Sequence, residues 1–94
     1  MEKERIEAAL GRMLEALAAI EHERWSRWQR YMHDKGEIRP DGSLLIPSDL
    51  VQRWERQVAT PYAALSEAEK ESDRDQVRCY FSTIAEGLAS GTRP

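Results

Sequence analysis

IEAALGRMLEALAAI, residues 6–20, is the stretch that decides the fold. Ile6, Leu10, Met13, Leu17 and Ile20 recur at steps of four and three, the spacing of one face of an α-helix. Toward the C-terminus the pattern runs on through Trp25, Trp28 and Met32, with Glu21 filling the gap at the same spacing. The periodicity therefore predicts one helix over residues 2–34. Gly11 weakens its interior by about 1 kcal/mol relative to alanine. Gly36 is placed to end it as the residue after the C-cap.

Within that helix, residues 24–31 read RWSRWQRY, an arginine and an aromatic alternating every three residues. A step of three turns a helix by about 300°, so Trp25, Trp28 and Tyr31 fan across an arc of about 120°. Such a fan can cover a broad core face while the arginines run along its edge. Arg beside Trp is also what a stacking platform for a base needs. Residues 24–35 carry Arg24, Arg27, Arg30 and Lys35 against Asp34, a net charge of +3.

Residues 36–47 read as a connector. RPDGS (39–43) is a turn signal, because Pro fixes φ and Asp-Gly suits a tight turn. LLI (44–46) reads as a short extended segment. Ser48 is placed as the N-cap of a short helix at about 49–58, with Leu50, Val51, Trp54 and Val58 on one side. Thr60-Pro61-Tyr62 stops it.

The last helix is predicted to start after Ser66. Ser66 and Glu69 fit a capping box, each satisfying a backbone N–H that the helix leaves open. The apolar stripe is Val77, Tyr80, Phe81, Ile84 and Leu88, and residues 91–94 read as a frayed tail. Stepped backwards from Val77, the same face meets Asp73, Arg74 and Lys70. Buried charge is costly unless paired and hydrogen-bonded. These three therefore overhang into solvent, form a structural network, or line a ligand site. Residues 67–75 hold five acids and two bases, and acids are favoured near a helix N-terminus.

The chain has 94 residues, room for a single domain with its core over about 4–90. Its net charge of −3 argues against a nucleic-acid binder, which is usually basic throughout. The single cysteine, Cys79, excludes an internal disulfide and suits a reducing compartment. No apolar run reaches the length of a membrane span and no leader is evident, so a cytoplasmic protein is expected.

No catalytic or metal-binding pattern stands out. HERWS from His22 is not His-Glu-x-x-His, and His33 lies eleven residues on. Cys79 beside Tyr80 reads as buried packing rather than a nucleophile. There is no glycine-rich phosphate loop. The expectation is a protein that is not an enzyme and uses no cofactor and no metal.

Two segments resemble a known family. HERW (22–25) resembles the His-Glu-x-Trp of the first helix of the ryanodine-receptor repeat domain. TPYAALSEAEKESDR (60–74) is similar to its second signature, Pro-Tyr-x-x-Leu-Ser-Glu-x-x-Lys-x-x-Asp-Arg. The matching positions are Pro61, Tyr62, Leu65, Ser66, Glu67, Lys70, Asp73 and Arg74. The connector departs from the family, lacking its Gly-Trp-x-Tyr-Gly turn and carrying a helix with Trp54 instead. The resemblance implies a small bacterial or phage binding module built on an antiparallel helix pair. It also implies a site for an anionic, nucleotide-derived molecule, which in a phage protein would sequester a defence signal.

The reading is thus an all-α domain: an antiparallel pair of long helices, a short third helix and an irregular connector. The expected ligand site is His22, Trp25, Trp54, Tyr62, Lys70, Asp73 and Arg74, with aromatics to stack and cations to meet phosphate. The other expectation is a protein-binding adaptor or inhibitor acting through an apolar helix face. Ile6, Leu10, Met13 and Leu14 reach beyond what the last helix covers, which predicts a homodimer.

Overall fold

The structure, a computed structural model, describes residues 2–92, with the backbone alone at 91 and 92. It is essentially all-α. The order is α1 (Lys3–Arg12), α2 (Leu14–Lys35), β1 (Glu37–Ile38), β2 (Leu44–Leu45), α3 (Ser48–Ala59), a 3-10 turn (Tyr62–Ala64), α4 (Glu67–Arg78) and α5 (Phe81–Thr92). The helix spans the positions predicted as tail at 91 and 92, while Arg93 and Pro94 lie outside the described residues.

Both predicted long helices are interrupted. The first breaks at Met13, whose N–H is shared between the carbonyls of Ala9 (3.2 Å) and Leu10 (3.1 Å). This is a local 3-10 tightening, two residues beyond the weak point at Gly11. Leu17 N–H still reaches the Met13 carbonyl at 2.9 Å, so helical bonding carries across the break. The last helix breaks at Cys79–Tyr80, whose N–H groups bond three residues back, to Gln76 and Val77.

The chain divides into two compact units. The first joins the residues up to Arg24 with those from Ser72 onward. Here α1 packs on α5. Ala9 and Met13, one turn apart, are its buried apolar side chains. Gly87 sits against Met13. A Cβ there would lie under 3.0 Å from the Met13 Sδ, Cε and Cγ atoms, so the glycine is what permits the close approach. Further along, Tyr80 meets Glu21. From Met13 to Glu21 the facing residue moves back from Gly87 to Tyr80, which is the antiparallel course expected from sequence.

The second unit spans Trp25–Glu71. The irregular connector contains a small hairpin, β1 pairing antiparallel with β2 through Glu37–Leu45 and Ile38–Leu44. RPDGS is its turn. Gly42 N–H bonds the Arg39 carbonyl at 2.9 Å, and Arg39 N–H bonds the Ser43 carbonyl at 2.8 Å. Gly42 has φ +87°, the left-handed position that closes a three-residue hairpin loop. Asp41 Oδ1 accepts from the Ser43 N–H at 2.9 Å and from the Ser43 hydroxyl at 2.6 Å, which lowers its pKa.

Gly36 does follow α2 but not as a left-handed cap. Its role is steric, since a Cβ there would fall under 3.0 Å from the Leu44 side chain. The N-cap of α3 is Pro47 rather than Ser48, its carbonyl taking the N–H of Leu50 and Val51. The helix ends at Thr60, extended at φ −97°, ψ 123°, as a residue before proline is pushed to be.

Candidate functional site

The capping box at Ser66 forms as read. Glu69 N–H donates to Ser66 Oγ at 3.2 Å, and Ser66 N–H donates to Glu69 Oε1 at 3.1 Å. Glu69 is drawn further into the structure by Arg56 of α3, which donates to its Oε2 at 3.2 Å. The Ser66 bonds first, and then the Arg56 charge, hold the Glu69 carboxyl below its ordinary pKa. One carboxylate thus starts α4 and ties it to α3. The sequence reading found its first role and missed its second, because Arg56 and Glu69 are thirteen residues apart.

Lys70 follows on α4. Its ammonium is 3.7 Å from Glu67 and 5.9 Å from the centre of the Tyr62 ring. It is only partly exposed, whereas the Tyr62 ring is exposed. The adjacent 3-10 turn therefore presents a cation lying over an open aromatic face.

The aromatic fan of α2 is not buried as a core face. Trp25, Trp28 and Tyr31 are all exposed. Trp28 is nevertheless held on two sides, stacked on Tyr31 at 5.6 Å and 25°, and edge-on to Trp54 of α3 at 5.4 Å and 66°. Lys35 lies 5.4 Å from the Tyr31 ring centre. On α3 the covered stripe runs through Leu50, Trp54 and Gln57. Val51 and Val58, expected on the covered side, are turned outward, and Val58 is 84% exposed. The partners of α3 meet it at Trp54, through Trp28 of α2, and at Arg56, through Glu69 of α4, and these contacts are narrower than the arc from Leu50 to Val58. The result is an apolar ridge of Tyr31, Trp28, Trp54, Val51 and Val58.

The seven nominated residues fall in different units. Trp25, Trp54, Tyr62 and Lys70 belong to the second. The structure brings Tyr62 and Lys70 together, and pairs Trp54 with Trp28, which had not been nominated for a ligand. His22, Asp73 and Arg74 belong to the first unit. His22 and Asp73 are exposed and Arg74 is half-buried. Val77, the residue from which the charged stripe was stepped back, is itself exposed. Cys79, expected in the packing, is exposed at the break between α4 and α5, its thiol donating to the Asp75 carbonyl.

The first unit holds a polar cluster that sequence reading passed over. The Tyr80 hydroxyl donates to Glu21 Oε2, and Arg24 forks onto both Glu21 oxygens, its Nε at 3.1 and 3.0 Å and its Nη2 closer still. The Arg24 bonds first, then the Tyr80 bond, hold the Glu21 pKa at about 2, against an ordinary 4.5. Tyr80 is raised and Arg24 raised by the same carboxylate. The signal was there: Glu21 interrupts an apolar stripe, as Tyr80 polarises its partner.

The sign of the pH effect follows. A depressed carboxylate binds fewer protons folded than unfolded, so its stabilisation is full above pH 4.5 and is lost as pH falls toward 2. Denaturant midpoints measured from pH 6 to pH 2 should drop through that window. Glu21→Gln should flatten the drop and leave a residual slope of the same sign from Glu69 and Asp41. An unchanged slope in the variant would mean the cluster does not persist in solution.

Among the described residues no helix is long and apolar enough to cross a membrane. Comparison with family models, with curated proteins and with solved structures finds no match.

Proposed function

We propose that the chain is a non-enzymatic, helical protein-binding module. The observation that carries this reading is the apolar ridge in which the exposed Tyr31, Trp28, Val51 and Val58 flank the half-buried Trp54. Aromatic side chains held rigid by one another make large contacts at little entropic cost, the property of interface anchors. The flanking segment 24–35 is basic, net +3, so the matching partner is an amphipathic segment with acidic flanks. The state of the cations supports the same choice. Lys70 is engaged by Glu67 and Tyr62, and Arg74 also has a partner within the fold. The resemblance of residues 60–74 to the ryanodine-receptor repeat agrees with a binding role.

The test is a randomised helical peptide library panned against the full chain. Enriched peptides should carry apolar residues at helical spacing with acidic flanks, and should bind Val58→Glu at least tenfold more weakly. No enrichment, or binding indifferent to Val58→Glu, overturns the reading.

A second reading has one specific observation in its favour, the Lys70 ammonium over the exposed Tyr62 ring. It is a subsite for an anionic, ring-bearing molecule, stacked on Tyr62 with its charge on Lys70. A thermal-shift screen with mono-, di- and cyclic nucleotides and ADP-ribose addresses it. A ligand at a hundred times its Kd adds about 2.7 kcal/mol, which for a domain this small is roughly 10–20 °C. A shift of that size, lost in Lys70→Ala, would replace the adaptor reading. A flat screen removes the nucleotide class.

A further inference from the structure

The first unit is an antiparallel pair of helical arms, and two helices cannot enclose a core between them. The arms meet along one line. On the N-terminal arm it runs through Ala9 and Met13, and on the C-terminal arm through Gly87. Each arm carries further apolar residues displaced from that line. At about 100° per residue, Leu10 and Leu14 lie about 100° around from Ala9 and Met13. By the same count Ile84, Leu88 and Phe81 lie about 60°, 100° and 120° around from Gly87. Leu10 is 43%, Leu14 62% and Phe81 59% exposed.

The sense of rotation decides where these residues point. In an antiparallel pair the two helices wind in opposite directions as seen from one end. An equal rotation away from the contact line therefore turns both to the same side of the pair. Leu10, Leu14, Phe81 and Leu88 share one flank. The opposite flank, about 100° the other way, carries Arg12 and Glu86. Over residues 6–17 and 77–88 the first flank is apolar and the opposite one is mostly polar or alanine, and Glu21 lies on the first flank beyond that stretch.

We propose that a second copy of this chain packs on the apolar flank, so that the two pairs of arms close into a four-helix bundle. In such a bundle each helix faces two neighbours roughly at right angles around its circumference. That is the division seen here: one line for the partner in the same chain, a second arc left over. The size fits. At 1.5 Å per residue, 22 residues to Arg24 make an arm about 33 Å long, and two helices side by side are about 20 Å wide. That face approaches the roughly 800 Å² that each partner contributes to a standard stable interface. A flank spread over both arms maps onto itself by a two-fold axis, which a second copy supplies and an unrelated partner does not. The flank uses none of the residues of the ridge, and the proposal does not rest on the adaptor reading.

The experiment is light scattering with the full chain at 1 to 100 µM, joined to thermal unfolding across the same range. The expected mass is twice 10.9 kDa, with a Tm that rises with concentration. Leu14→Glu and Phe81→Glu should each give the monomer mass at concentrations where wild type is dimeric. Ile38→Ser, an exposed apolar change in the hairpin, should stay dimeric. Should the charged variants not fold, the wild-type mass and the concentration dependence of its Tm still decide. A wild-type monomer at 100 µM with a constant Tm overturns the proposal, as does a dimer that survives both charged variants.

Discussion

Met13→Ala should cost about 2–5 kcal/mol, the range for truncating a buried Leu, Ile or Met to alanine. Met13 is 4% exposed and, with Ala9, makes up the buried apolar core of the first unit. The more telling expectation concerns its neighbour. Gly87→Ala places a methyl under 3.0 Å from three Met13 atoms. The crowding should outweigh the roughly 1 kcal/mol that alanine gains over glycine within a helix. Alone, then, Gly87→Ala should destabilise. In the Met13→Ala background the clash is gone, the propensity gain remains and part of the cavity is filled. The same substitution should there stabilise. Urea unfolding of the four chains of this double-mutant cycle reads the reversal directly. Stabilisation in both backgrounds would mean that the Met13 side chain moves aside for the added methyl and that the glycine is not required there.

Trp28→Ala should have the other large effect, about 3 kcal/mol. The ring makes two aromatic contacts, with Tyr31 and with Trp54, each worth about 0.5–1.5 kcal/mol beyond the area they cover. The covered part of its area contributes the rest. Val58→Ala, on the same ridge but 84% exposed, should change stability by less than about 0.5 kcal/mol. The contrast matters for function. If the ridge is a binding surface, Val58 is silent for folding and decisive for binding, whereas Trp28 serves both. Equal costs in urea unfolding would mean that Val58 is covered in solution, and the ridge would not be the free surface proposed.

Much of the helical content was legible in the chain. The four-and-three spacing from Ile6 to Ile20 gave the N-terminal helix, and the Ser66–Glu69 pattern gave the start of α4 to the residue. RPDGS gave the turn, because its conformation depends only on the residues inside it. What failed did so where a partner was needed. The breaks at Met13 and at Cys79–Tyr80 carry no proline and no glycine. Each lies where a side chain is committed to the opposite arm, Met13 to Gly87 and Tyr80 to Glu21.

The candidate site shows the same division. The nominated residues were chosen for their chemistry along one helix face, which periodicity reports well. Whether Trp25 or Val58 is covered depends on what lies across from it, which periodicity does not report. Hence the amphipathic reading of α3 named the right residues and put Val51 and Val58 on the wrong side of the boundary. Arg56 and Glu69, or Tyr80 and Glu21, could not be paired from sequence, since nothing local brings them together.

The all-α class, the start of α4 and the geometry of the hairpin turn are legible in the sequence, because capping, propensity and turn chemistry act over about four residues. Which part of each apolar arc is covered and where the long helices break were settled by tertiary packing alone. Those depend on contacts between segments dozens of residues apart, and their energies belong to the pair rather than to either residue.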